Sequence, residues 1–244
     1  MAATSTIHDH PDWFNKRLHD GGPVYAETNP EQFIVEPWNA VSSLLIVLPA
    51  IWWLFVIRHN FTGYKFMLYS IPLMIMGGTG STLYHAFRSS SFFLYMDFVP
   101  TAFLTLSLGI YFWIKVLNKW WHVFFVIILS FLIRFLFFNN LPTHTAINIS
   151  YTITGIMIGL PLLLLLYRTG FYKWKYVVIT IVLFLAGILF RELDSRKISF
   201  LPMGTHFLWH VFTGIGAWFI LGYLYHFRNN ERLKARDSFR ESPH

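Results

Sequence analysis

The chain has 244 residues, of which 55% are hydrophobic and 20% aromatic, whereas only 13% are charged. This composition is far more apolar than that of ordinary soluble domains and is typical of a protein that lies in a lipid bilayer. The formal net charge of +7 does not indicate nucleic-acid binding, because the basic residues lie between apolar runs, where they set membrane topology. The absence of cysteine excludes disulfides and thiolate metal sites, so any transition metal must be bound by imidazole and carboxylate groups.

Seven apolar runs follow a polar N-terminal segment. Residues 1–37 lack the basic start, short apolar stretch and cleavage site of a signal peptide, so they are expected to form a mature extramembrane segment. The runs are 39–57, 65–87, 92–115, 120–138, 146–167, 174–190 and 206–227. Each is close to the ~20 residues that cross a hydrocarbon core as a helix. The sequence therefore predicts an all-α, integral membrane bundle of seven helices over 38–227, followed by a basic cytoplasmic tail over 228–244.

Lysine and arginine are distributed unevenly between the two sides of this predicted bundle. One side carries Arg58, Lys65, Lys115, Lys119, Arg168, Lys173, Lys175, Arg228, Arg232, Lys234, Arg236 and Arg240, whereas the other carries Lys16, Arg17, Arg88, Arg191, Arg196 and Lys197. Because positive residues near span ends are retained in the cytoplasm, the N-terminus is expected outside or in a lumen and the C-terminus in the cytoplasm. Arg134, inside the fourth run, is expected to extend towards the interface.

Ionisable residues are rare between the first and last runs. Asp97, early in the third run, is the one carboxylate between Glu36 and Glu192 in the sequence. A charged group in a bilayer is costly and usually functional. His206 and His210 begin the seventh run with i, i+4 spacing, so both rings lie on one helix face, as in helices that bind one metal ion through two imidazoles.

The predicted topology brings further polar residues to the same depth. The second run goes outward and ends near His85, the third begins there with Asp97, and Glu36 lies at the mouth of the first. Ser81 precedes His85 by four residues and shares its helix face. The three histidines fit a catalytic zinc site with one open position, and they also fit an ordinary polar cluster. The position of Asp97 is compatible with three roles: a general base, a metal ligand or a carboxylate that orients a histidine. The position of Ser81 is compatible with a role in the site and with packing between helices.

Four ordered motifs extend over most of the chain. GTGSTLYHAFRSSSFFLYMDFVP, residues 78–100, contains a Gly-Ser, a histidine four residues later and an Asp-x-x-Pro. THFLWHVFTGIGAW, residues 205–218, places two histidines before a Thr-Gly-x-Gly. EPWNAVSS, residues 36–43, enters the first run, and FRELD, residues 190–194, precedes the last. Together these segments resemble the alkaline ceramidase family, which belongs to a superfamily with the adiponectin-receptor-like and Per1-like proteins.

This resemblance implies a seven-helix, zinc-dependent amidohydrolase. Its substrate would be ceramide or a ceramide-like N-acyl lipid of the membrane, and its products a fatty acid and a long-chain base. On the matching positions, the resemblance implies that His85, His206 and His210 are zinc ligands. It likewise implies that Ser81 and Asp97 are the hydroxyl and the carboxylate beside the metal.

The resemblance also implies a calcium site before the first helix, at Glu27, Asn29 and Glu36, whose oxygen atoms suit this hard cation. The sequence departs from the family pattern there, because the stretch between Asn29 and Glu36 is shorter than usual and residues 23–25 are Pro, Val and Tyr where an acidic ligand is expected. Tyr151, in the fifth run, is expected to line the substrate cavity.

Three other functions are alternatives to the hydrolase. A receptor or scaffold of the adiponectin-receptor-like branch would hold zinc structurally, but the EPWN and FRELD segments favour the ceramidase branch. The same zinc chemistry on a different amide or ester lipid is compatible with every motif. A light-driven or solute-moving seven-helix protein, in which buried charges would form a relay, is not indicated. The last run, 206–227, contains no lysine for retinal, and the interior has few charges for a proton path.

Overall fold

Seven α-helices form where the seven apolar runs predict them. The computed structural model describes residues 18–141, 143–194 and 201–241. Its helices are α1 (Pro37–Ile57), α2 (Lys65–Phe87), α3 (Ser91–Val116), α4 (His122–Asn140), α5 (Thr143–Arg168), α6 (Trp174–Asp194) and α7 (His206–Glu241). Six of the helices are long and apolar enough to cross a membrane, whereas the described apolar part of α4, His122–Phe138, is shorter. The all-α bundle and a multi-pass membrane protein are therefore confirmed.

A tight connection joins α2 to α3 and fixes the register of the two helices. Arg88 ends α2 in the left-handed conformation, with φ of 47°, and its N–H donates to the carbonyl of Tyr84. Ser90 begins α3 as its N-cap, because its side chain accepts a hydrogen bond from the N–H of Phe92. This three-residue turn holds the end of α2 against the start of α3, where His85 and Asp97 lie.

The last helix continues beyond its predicted end. The sequence places the end of the span at Phe227 and a tail after it, but α7 extends to Glu241. Glu231 accepts hydrogen bonds from Lys115 of α3 at 2.7 Å and from Arg228 at 3.1 Å, and these ion pairs stabilise the polar continuation. Residues 242–244 of the predicted tail and 1–17 of the predicted N-terminal segment lie outside the described residues.

Arg134 differs from its prediction. Its guanidinium donates to the hydroxyl groups of Ser150 at 2.5 Å and Thr154 at 2.8 Å, so it joins α4 to α5 instead of extending to the interface. The reason is that two hydroxyl acceptors on the neighbouring helix satisfy the charged group within the apolar layer.

The apolar core occupies one half of the bundle. Its buried residues come from the second halves of α1, α3 and α5, the first halves of α2 and α6, and the later turns of α7; they include Ala50, Ile57, Ile71, Phe112, Leu162, Val177 and Tyr223. These positions all lie towards the same end of the helices, the end at which α1 finishes and α2 begins. The opposite end of the bundle holds the buried polar residues described next.

Candidate metal centre

Three histidines meet at the polar end of the bundle. His85 comes from the last turn of α2, and His206 and His210 come from the first two turns of α7. Their side chains are buried, with relative exposures of 1%, 1% and 3%. One ligand atom from each histidine lies within 4.8 Å of the other two, so the predicted ligands are brought together. Three imidazole nitrogens this close together could hold one metal ion.

Two of the rings are oriented by hydrogen bonds at Nδ1. His85 Nδ1 contacts the Glu36 carboxylate, and His210 Nδ1 lies 3.0 Å from the backbone carbonyl oxygen of Asn39, to which it donates. These contacts use Nδ1 and leave Nε2 of each ring for a metal. Histidines that bind metals in proteins are commonly held this way, so the donor set and its supports both fit a metal ion.

A buried ion cluster supports His85. Arg88 Nη1 contacts the Glu36 carboxylate, and Arg88 Nε donates to Asp20 at 2.6 Å. Burial disfavours the charged form of Glu36, but the positive charge of Arg88 and the contact with His85 outweigh it and lower the pKa of Glu36 to about 2. Glu36 therefore stays ionised and keeps a charge-assisted hydrogen bond to His85. The sequence did not predict that Arg88 supports Glu36 and His85, because its position after the second run indicates only a charge that sets topology.

The predicted calcium ligands have protein partners instead. Glu36 contacts Arg88 and His85, and Glu27 accepts hydrogen bonds from the N–H groups of Trp38 and Asn39 at 2.6 and 2.9 Å, at the start of α1. Asn29 Oδ1 accepts from the N–H of Glu31 at 3.2 Å. Within the described residues, only the histidine group brings three His, Asp or Glu side chains to metal-binding distance. The calcium site at Glu27, Asn29 and Glu36 stays a prediction.

Ser81 and Asp97 lie beside the histidines. Ser81 is buried, its Oγ lies 3.0 Å from Oγ of Ser43, and Asp97 lines the same cavity. Ser43 Oγ also lies 3.0 Å from His210 Nδ1, as does that of Ser42. Ser43 thus connects Ser81 to His210, and the predicted catalytic pair, Ser81 and Asp97, lies on the same cavity wall. The sequence offered no specific signal for the two α1 serines.

The N-terminal segment closes over the third histidine. The Tyr25 ring stacks on the ring of His206, with centroids 3.8 Å apart and planes 17° apart. The next residue, Ala26, donates its N–H to Asp194 at 3.0 Å, and the same carboxylate accepts from the N–H of His206 at 2.9 Å. Asp194 therefore joins this segment to the end of α6 and the start of α7. Tyr25 was missed as a site residue, because a single aromatic in a polar segment carries no periodic signal.

A cavity of about 580 Å³ extends from the histidines into the bundle. Its polar end is lined by Ser81, His85, Asp97, Tyr151, Arg191, His206 and His210. The rest is largely apolar and is lined mainly by α3, α5, α6 and α7, including Leu104, Leu108, Leu162, Ile181 and Leu221. Tyr151 lies in the cavity wall, with its ring 4.9 Å from that of Trp209. The site is therefore one polar cluster at the end of a long apolar chamber.

Compared with protein-family models and with curated proteins, the chain shows no match to either.

Proposed function

We propose that this chain is a zinc-dependent membrane amidohydrolase that cleaves the amide bond of ceramide or a ceramide-like N-acyl lipid, releasing a fatty acid and a long-chain base. The observation that carries the proposal is the buried histidine triad, with a carboxylate and a hydroxyl beside it, at the polar end of an apolar cavity. The motif resemblance to alkaline ceramidases supports the choice of substrate.

Zinc is the metal that suits this donor set best. His85, His206 and His210 offer three neutral nitrogen ligands, and three-histidine sites with an open position are typical of catalytic zinc. When bound, zinc would polarise the amide carbonyl and lower the pKa of water towards ~7.

Asp97 and Ser81 would carry out the proton transfer and hold the carbonyl oxygen. Asp97 would accept a proton from the attacking water, whose oxygen bonds to the carbonyl carbon, and would return that proton to the amine nitrogen as the C–N bond breaks. Ser81 would donate its hydroxyl hydrogen to the oxygen on which negative charge develops. Their common position on the cavity wall beside the histidines supports these roles.

The cavity supports a lipid as the substrate. His206 is the first residue of α7 and His85 lies in the last turn of α2, so the polar end is at the depth of the membrane interface. A lipid amide would lie there, and acyl chains would occupy the apolar part between α3, α5, α6 and α7.

The proposed orientation has this end facing the outside or a lumen and the C-terminus in the cytoplasm. Because the chain has no cysteine, single substitutions at exposed turns report it directly. A membrane-impermeant maleimide should label Asn118→Cys once the plasma membrane alone is permeabilised. It should label Ser89→Cys either in intact cells, if this end is outside, or only after internal membranes are opened, if it is lumenal. The reverse labelling would refute this orientation.

The test of function is hydrolysis of ceramides and other N-acyl lipids by the detergent-purified protein, with and without a zinc chelator. We expect chelator-sensitive release of fatty acid, no release by His210→Ala, and retained release by His226→Ala, a control on the same helix. Ser81→Ala should lose about 10²–10³-fold in rate, the usual cost of one oxyanion donor. Bound zinc without turnover of any lipid would favour a receptor or scaffold instead.

A further inference from the structure

Arg191 is a buried cation that the proposed hydrolysis does not use. It lies in the last turn of α6, its relative exposure is 3%, and it lines the polar end of the cavity. Its Nη1 lies 3.4 Å from Nδ1 of His206, so the guanidinium is one imidazole ring away from the proposed metal position.

The described contacts of Arg191 are with neutral groups. Its Nε donates to Oδ1 of Asn148 at 2.9 Å, and its guanidinium carbon lies 5.0–5.9 Å from the ring centroids of Tyr25, Tyr151 and Trp209. Among the described residues, no ion pair within 4.0 Å includes Arg191. Arg88, the other buried arginine at this end, differs in contacting two carboxylates.

The nearby carboxylates are used elsewhere. Asp194 accepts backbone N–H groups from Ala26, Thr205 and His206. Glu192 accepts a hydrogen bond from Asn148 at 2.5 Å. Asp97, the one carboxylate among the described cavity-lining residues, interacts with Arg191 but forms no described ion pair with it.

Asp97 and Asp194 interact with Arg191 only beyond ion-pair distance. A buried charge without a carboxylate in direct contact is costly, and three aromatic rings offset only part of that cost. The planar guanidinium fork is suited to bidentate binding of a carboxylate or a phosphate. Because Arg191 lines the cavity beside His206, an anion that enters the cavity reaches it next to the reacting amide and away from the apolar part.

We infer that Arg191 binds an anionic headgroup, a carboxylate or a phosphate, carried by the amine portion of the N-acyl lipid, so that, of the substrates proposed above, acidic N-acyl lipids are turned over faster than neutral ceramide. The expected selectivity in turnover rests on the proposed hydrolase function. The expected selectivity in binding rests only on Arg191 and the cavity.

The kinetic test compares three lipids with the same acyl chain: a neutral ceramide, an N-acylglycine and a ceramide 1-phosphate. The wild type should prefer at least one acidic lipid in kcat/KM, and the lipid preferred identifies the anion as carboxylate or phosphate. Arg191→Gln should lower the ratio of acidic to neutral turnover by about 10- to 100-fold, as expected for losing a charge-assisted hydrogen bond. Arg191→Lys should retain part of the ratio, because it keeps the charge without the fork.

Arg134→Gln is the matched control, since Arg134 is also within the membrane layer but does not line the described cavity. Its ratio should equal that of the wild type. Equal turnover of acidic and neutral lipids by the wild type, or a ratio unchanged in Arg191→Gln, would overturn the inference.

A binding test separates this inference from the hydrolase proposal. In the His210→Ala background, the thermal shift produced by a non-hydrolysed acidic lipid should exceed that of the neutral lipid, and the excess should disappear when Arg191→Gln is added. An Arg191-dependent preference without hydrolysis by the wild type would refute the hydrolase alone. Equal shifts for the acidic and neutral lipids would refute the role of Arg191.

Discussion

At the residue scale, each histidine of the metal centre is held by a partner from another element. Glu36, at the N-cap of α1, contacts His85; the Asn39 carbonyl accepts from His210; and the Tyr25 ring covers His206. Metal affinity depends on such supports, because they fix both the tautomer and the orientation of each ring.

Glu36→Gln should weaken metal binding without removing a ligand. The amide keeps the size of the side chain but loses the charge that interacts with His85 and with Arg88. We expect zinc affinity, measured by competition with a chromophoric chelator, to fall about 10–100-fold, as for other partners of metal-binding histidines. Glu31→Gln, at an exposed position of the same segment, should leave the affinity unchanged. Equal zinc affinities for the wild type and Glu36→Gln would refute the proposal that Glu36 supports His85 as a metal ligand.

The sequence predicted which residues meet at the site better than it predicted the residues that support them. Spacing and depth predicted that His85, Asp97 and His206 lie together, because helix periodicity and topology determine both. The roles of Arg88 and Tyr25 depend on how residues 18–36 fold back over the helix ends. That path is set by contacts between distant segments, which no local pattern encodes.

At the element scale, small residues let α2 approach α3 closely next to the site. A Cβ atom on Gly80 would collide with the backbone carbonyl of Met96, and backbone cannot move aside as a flexible side chain can. Small residues at such crossings are a usual basis of helix packing in membranes. This crossing holds Ser81 against Asp97.

Gly80→Ala should therefore destabilise the protein by about 1–3 kcal/mol, the usual range for overpacking. Thermal unfolding in detergent should show a lower melting temperature than for the wild type. Gly159→Ala is the control, because its Cβ would meet no atom within 4 Å, and it should not lower the melting temperature. A melting temperature unchanged by Gly80→Ala would mean that α2 and α3 are not as close as described.

Hydropathy predicted the membrane-spanning part of the helices well but not where α7 ends. After Phe227 the apolar residues give way to polar ones with good helix propensity, so the helix continues to Glu241. Its contact with α3 through Glu231 and Lys115 joins positions 116 residues apart in the chain, so the sequence gives no local sign of it.

At the scale of the whole molecule, the apolar core and the candidate site lie at opposite ends of the bundle. The apolar core fills the end at which α1 finishes, while the histidines, the buried arginines and the carboxylates lie at the other end. Between them the cavity separates α3, α5, α6 and α7. This division lets the polar end hold costly buried charges, because the core at the opposite end stabilises the fold.

The zinc content of the purified protein tests the metal centre most directly. We predict one zinc ion per chain in the wild type and its loss in His85→Ala, His206→Ala and His210→Ala. The control variants His59→Ala and His226→Ala should keep the metal, since neither residue belongs to the buried triad. A wild-type protein without zinc, or zinc retained when a triad histidine is replaced, would contradict the proposed centre.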